Sequence, residues 1–334
     1  MKRNHGELRK LLTIALGIAA MSAPVDVSAQ FNKGGRTAFQ FVKIGVGARQ
    51  VAVGEACISF VTDINGVFWN PATLTGISNT EASFSYASWF ADLQYLAGAV
   101  GYRIPDYGVV AVQYASLDYG TMPEALITSP TGSADTRTGK SIGGGDVMVG
   151  LTFSREFTDQ LSIGFTAKYL KETLFQYGAD LFAFDVGTFY DLRFKGIRLA
   201  MSAQNFAGSV KYLDRSDREE GYDIPLIFRM GTSVDVIRNG DSFIDLGENH
   251  LLTISADALH TNDFAERLHI GGEYWFSGML ALRGGYRFNY DEGNMSFGLG
   301  LHHVVSGVEI SLDYAYVSFE YLESPHRVTM SMRF

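Results

Sequence analysis

Along most of the chain, hydrophobic residues recur at every second position. In residues 161–170, Leu161, Ile163, Phe165, Ala167 and Tyr169 alternate with Ser162, Gly164, Thr166 and Lys168. A period of two is that of a strand with one apolar face. Leu268, Ile270, Tyr274 and Phe276 likewise oppose His269, Gly271, Glu273 and Trp275. Further on, Leu280, Leu282, Tyr286 and Phe288 oppose Arg283, Gly285 and Arg287, and Val308, Ile310, Leu312, Tyr314 and Tyr316 oppose Glu309, Ser311 and Asp313. The chain ends with Val328, Met330, Met332 and Phe334 set against Arg327, Thr329, Ser331 and Arg333. About fourteen such segments can be counted, beginning near residues 82, 95, 107, 146, 160, 181, 197, 225, 250, 267, 279, 294, 306 and 326.

The chemistry of the second face separates a barrel from a soluble sandwich. A face turned to bulk water is usually rich in Lys and Glu. Here it is mostly Gly, Ser, Thr and Ala with sparse charges of both signs, which suits a crowded concave interior. The apolar face carries aromatics near strand ends, among them Tyr102, Tyr169, Tyr190, Tyr286, Phe288, Tyr314 and Tyr316, as expected of girdles at two lipid interfaces. Links after even-numbered segments are short, as at Pro105-Asp106 and Ser277-Gly278, whereas the longest, 119–145 and 206–224, follow odd-numbered ones. Short periplasmic turns opposite long outer loops are the pattern of an outer-membrane barrel and place both ends of the barrel domain in the periplasm. The link 237–249 is long for its side, so twelve or sixteen strands stay open beside the preferred even count of fourteen.

The start of the chain fits that compartment. Lys2, Arg3, Arg9 and Lys10 precede a short apolar run, residues 11–20, and Val27-Ser28-Ala29 supplies small residues for cleavage near Ala29, so 1–29 reads as a signal peptide. The single Cys57 excludes a disulfide framework. A net charge of −9 without a basic cluster argues against nucleic acid. Mean hydropathy of +0.04 argues against many membrane helices but not against a barrel, whose apolar residues are diluted by alternation. The expected partners are therefore outer-membrane lipid and the barrel-assembly machinery. A last strand finishing on an aromatic, Phe334, resembles the signal that this machinery reads.

Residues 30–80 do not alternate. They contain helix-compatible stretches around 48–59 and 63–69 with a break at Pro71, and their length suits a plug inside the barrel formed by 81–334. Within them Lys43, Gly45, Gly47, Ala48 and Arg49, then Gly54, Asp63, and Trp69-Asn70-Pro71-Ala72 form a pattern that resembles the N-terminal signature of the PorV/PorQ family of FadL-like outer-membrane proteins. Val53, Glu55 and Thr73 depart from that family's commoner Met, Gly and Gly. The resemblance implies an all-β fold: a transmembrane antiparallel β-barrel of about fourteen strands with an N-terminal helical plug segment in the lumen. It also implies a role in type IX secretion, with secreted cargo proteins bearing C-terminal signal domains and a cell-surface attachment complex as partners. FadL-like relatives imply the alternative, passage of hydrophobic small molecules through the Gram-negative outer membrane.

No cofactor, metal or catalysis is expected. Thr138-Gly139-Lys140-Ser141 lacks the earlier P-loop glycine, since Ala134 stands there. His302 and His303 point to opposite faces, and no G-x-S-x-G elbow is present. Alternation instead directs Lys168, Asp185, Asp191, Arg198, Arg229, Asp235, Asp257, Glu273, Arg283, Arg287, Glu309, Asp313, Arg327 and Arg333 into the lumen, to pair with one another and with the plug. Arg283 and Arg287 against Glu309 and Asp313 are the first candidates for a ladder. A secretion component predicts a sealed lumen and loops 119–145 and 206–224 offered to protein partners. A transporter predicts an apolar pocket near Trp69, Trp89 and Phe90 and a gap in the wall.

Overall fold

The computed structural model describes residues 35–125, 137–175, 177–212, 221–240 and 242–334, so the expected signal peptide lies outside the described residues. The strands are β1 (Thr80–Ser88), β2 (Gln94–Ile104), β3 (Gly108–Ala125), β4 (Arg137–Glu156), β5 (Leu161–Leu174), β6 (Tyr177–Asp191) and β7 (Arg198–Phe206). They continue with β8 (Ile227–Ile237), β9 (His250–Thr261), β10 (Arg267–Phe276), β11 (Leu280–Phe288), β12 (Met295–Val305), β13 (Val308–Ser318) and β14 (His326–Arg333). Each pairs antiparallel with its sequence neighbours, and β1 closes on β14, with Phe84 opposite Met330. Closure leaves no free sheet edge, which is what lets backbone amides sit in hydrocarbon.

Large apolar side chains cover the outside of the wall: Phe182 is 67% exposed, Leu151 62% and Phe84 57%. In water such a belt would be an aggregation surface, whereas in a bilayer it is the lipid-facing band. The chain is a transmembrane β-barrel of fourteen strands.

The expected starts fall within two residues of the observed ones except at β4 and β6. There, the expected loop 119–145 is largely a hairpin, with β3 running to Ala125 and β4 starting at Arg137. Gly143 to Gly145 and Thr138 to Ser141 thus belong to a strand, not to a flexible loop. Alternation is blind here because both faces of this ribbon are in water, above the neighbouring strands.

The second correction concerns the plug. Of the two helix-compatible stretches, 48–59 holds only the single turn α1 (Ala48–Ala52) and 63–69 holds the 3-10 helix η2 (Ile64–Phe68), with two further 3-10 helices, η1 (Gln40–Lys43) and η3 (Pro71–Gly76), on either side. Helix α1 stops because Gly54 and Glu55 both take left-handed conformations, at φ 66° and 64°. Asp63 caps η2 by accepting from the Asn65 amide at 2.9 Å, and Asn70 caps η3 through the Ala72 amide at 3.1 Å, with Pro71 opening the turn.

Candidate functional site

With so little regular structure, the plug must find backbone partners elsewhere, and the wall supplies them. Small polar residues facing inward hold it on several sides. Thr329 accepts from the Ala48 amide at 2.8 Å, and Asp257 accepts from Cys57 and Ile58 at 2.8 and 3.1 Å. Ser255, Ser233, Ser296 and Ser154 donate to the carbonyls of Ala56, Ser59, Ala52 and Ala72. Between them, wall glycines let the plug backbone lie on the sheet. A Cβ on Gly285 would sit 2.0 Å from the Gly54 nitrogen, and one on Gly271 would sit 2.1 Å from the Val53 oxygen.

Charge ties the plug at two levels. Toward the short-turn end Arg49 bonds Asp63 (2.8 Å) and Glu273 (2.7 and 2.8 Å), and Arg283 bonds Glu273 and Asp313 (both 2.6 Å). A polar pocket of about 150 Å³ opens beside them, lined in part by Glu81, Glu309 and Arg333. Toward the long-loop end Glu55 meets Arg287 at 2.8 Å and Arg229 at 4.0 Å. Lys168 pairs with Asp185 at 2.8 Å. The ladder expected from the sequence is therefore corrected in part: Arg283 does reach Asp313, but Arg287 turns to the plug, and Glu309 takes Arg333 at 3.0 Å.

At the rim Lys43 reaches Asp263, in the β9–β10 loop, at 2.6 Å. Burial alone would raise the Asp263 carboxyl, but the hydrogen bond and charge of Lys43 hold it below the usual aspartate range. Glu55 is also lowered: burial pushes it up, and Arg287, His269 and Arg229 pull it further down. A depressed carboxyl stabilises the fold above its unfolded pKa, and that stability is lost as pH falls through the folded value. The plug should thus stay protected from protease from neutral pH to about 4, the ordinary carboxylate range, and open only below it. Limited proteolysis across pH 7 to 3 checks this; opening near pH 6 would refute it. Cys57 takes no part, since burial, with Asp257 beside it, pushes its thiol well up and leaves it a neutral filler.

Above the plug, at the long-loop end, lies a cavity of about 590 Å³. Its floor is Phe41, Ile44 and Glu55, and its walls include Trp89, Phe90, Leu93, Leu259, Phe264 and Phe319. Trp89 and Phe90 line it as the transport reading expects, whereas Trp69 does not. Trp69 lies within the plug, donating to the Val46 carbonyl at 2.9 Å, beside a cavity of about 30 Å³. That small cavity shares Phe41, Lys43, Ile44, Gly45 and Arg229 with the large one and extends to Lys168 and Asn205. Asn205 (φ 65°) is where the wall is irregular: the β6–β7 ladder starts only at Phe184 opposite Phe206 and slips before Val186 opposite Ala203. Residues 178–183 of β6 pair with β5 but have no β7 partner among the described residues.

The remaining motif residues serve the plug itself. Gly45 leaves room for the Glu55 carboxylate and the Trp69 ring, whose atoms a Cβ would meet at 2.9 and 3.1 Å, and Gly47 (φ 88°) takes a backbone only glycine adopts freely. Asn70 donates to the carbonyls of Ile58 and Thr188, docking η3 on β6, while Pro71 and Ala72 lie against Gly164 of β5. Sequence reasoning missed Phe264, Arg267 and Tyr290, which lie outside or at the edge of the alternating segments. Their only signal was an aromatic and basic cluster between apolar runs. Phe334 extends the closing strand by donating to the Thr80 carbonyl at 2.9 Å.

The fold and lumen define a plugged transmembrane β-barrel. No protein-family profile and no curated protein sequence matches the chain. Among solved structures it is similar to the Pseudomonas putida toluene transporter TodX, at 13% identity over 86% of this chain and 97% of that one, TM-score 0.56. It is also similar to a Pseudomonas aeruginosa FadL homologue, at 11% identity over 86% and 98%, TM-score 0.50. At such identities the likeness establishes the shared fold.

Proposed function

We propose that this chain is an outer-membrane barrel that admits hydrophobic small molecules from the cell exterior. The observation that carries this reading is the aromatic-lined cavity of about 590 Å³ held above a docked plug. Its size falls within the roughly 300 to 1,000 Å³ of small-molecule sites. The second, smaller cavity and the slip in the β6–β7 ladder supply a direction of travel, past residues 41–46 toward the wall irregularity at Asn205. The similarity to TodX, a toluene transporter, supports the same reading.

Cells producing the protein should take up a labelled neutral apolar compound faster than cells without it. Trp89→Ala with Phe90→Ala should lower that uptake about tenfold or more, since two lining aromatics contribute several kcal/mol of burial. Uptake equal to that of cells lacking the protein would sink the proposal.

A PorV/PorQ-type secretion role is the second reading, supported by the ribbon of β3 and β4 that stands above its neighbours. Co-purification of proteins sharing a C-terminal β-rich domain, lost when that ribbon is shortened, would favour it over uptake.

A further inference from the structure

The base of the large cavity carries more positive charge than its acids balance. Arg229, Arg267 and Arg287 line it, and the single carboxylate among them is Glu55, which Arg287 and Arg229 share. Arg267 and Arg287 face the same ring, Tyr290, with guanidinium carbons 3.9 and 4.8 Å from its centroid, and Arg267 also covers Phe264 at 4.3 Å. Arg267 has no acidic partner among the described residues. Arg327 of β14 adds a fourth cation behind the lining, on the far side of Trp89. It is 3% exposed, stacks under Trp89 at 4.9 Å, and its charge faces Glu55 and Arg287. Its Nε has no hydrogen-bond partner, and no ion pair reaches it among the described residues. The other acids and the lysine of the cavity are already engaged. Lys43 holds Asp263, Asp146 accepts from the Tyr119 hydroxyl at 2.7 Å, and Glu292 accepts from the Glu320 and Tyr321 amides.

A buried guanidinium without an acidic partner is costly. Arg229, Arg267, Arg287 and Arg327 outnumber the carboxylates Glu55, Asp146 and Glu292 beside this apolar chamber, and while Arg287 bonds Glu55 and the Gly293 carbonyl, Arg267 has its stacking partners alone. The geometry points to an oxyanion subsite at Arg267 and Arg287, backed by the charge of Arg327 behind Trp89, that takes the phosphate-class head of an amphiphile whose apolar body lies against Trp89, Phe90 and Phe319. A phosphate monoester offers three oxygens and a charge of about −1.5 to −2, which guanidinium forks match better than a single carboxylate does. Phe264 and Tyr290 orient Arg267 by stacking, and Trp89 does the same for Arg327. This inference rests on the reading of the cavity as a site for apolar molecules and specifies the head group it accepts.

The test uses the whole protein in a non-ionic detergent, with tryptophan fluorescence reporting binding of decanol, decanoate and decyl phosphate. Decyl phosphate should bind at least about tenfold tighter than decanol, with decanoate between them. Arg327→Gln combined with Arg267→Gln should bring the ratio of decyl phosphate to decanol affinity to about one, and added salt should narrow that ratio in the wild type. Persistence of the heat-modifiable folded form on gels verifies that the variant is assembled. Equal affinity for decanol and decyl phosphate, or a decanoate affinity equal to that of the phosphate, would overturn the subsite while leaving the apolar cavity standing. Failure of decanol itself to bind would count against the uptake reading instead. Displacement of decyl phosphate by an equal concentration of inorganic phosphate would overturn the amphiphile and assign the arginines to a free ion.

Discussion

Replacing Gly285 by valine is expected to expel the plug while the barrel stays closed. The added Cβ would lie 2.0 Å from the Gly54 nitrogen and 2.2 Å from the Val53 carbonyl carbon. Both are backbone atoms, so no rotamer change relieves the clash. Residues 53–55 must lift away, which breaks the Glu55 to Arg287 bond, while β11 itself accommodates a β-branched residue well. The strand ladder of β11 does not involve that side chain, so the folded form should persist on gels. Two readouts should change together: protease should cut at the freed plug, and planar-bilayer conductance should rise from closed to open. Adding Gly271→Val should strengthen both effects, because Gly271 meets the same turn from β10. A Gly285→Val barrel as silent and protected as the wild type would show that the plug does not rest on the wall glycines.

Glu273→Gln should weaken the plug by charge instead of volume. The Glu273 carboxylate accepts two bonds from Arg49 and one from Arg283, all within 2.6–2.8 Å, and is 2% exposed. The amide keeps the shape but loses the charge, leaving the half-buried Arg49 and the buried Arg283 short of one counter-ion. Removing one member of such a network costs about 3–5 kcal/mol, and the lower end applies here because Arg49 keeps Asp63 and Arg283 keeps Asp313. Adding Arg49→Met to Glu273→Gln should recover part of the loss, since it removes the stranded cation. The double-mutant cycle, read by urea unfolding in detergent, should give a coupling of about 1–3 kcal/mol. Strict additivity would mean that Arg49 and Glu273 do not act together.

Glu55 shows how far local reading reaches. It is visible in the sequence only as a departure from a glycine-containing pattern, yet it keeps the left-handed conformation a glycine would take, at φ 64°. A side chain held in that strained backbone must be secured by its surroundings, and Arg287 and Arg229 secure it. Those partners sit on β11 and β8, more than 170 residues along the chain, where no motif could signal them.

By itself the sequence determined which residues face lipid and which face the lumen, because the side-chain period of a strand is local and strict. It also determined that the interior would be small and polar enough to receive a chain segment. Only the tertiary structure decided that Arg287 meets Glu55 across 232 residues and not Glu309, and that Arg327 lies under Trp89 with no ion pair among the described residues. Alternation specifies a face and says nothing of the neighbour. Partners are set by the strand register around the closed barrel and by the path of the irregular plug, and both emerge only when distant segments pack.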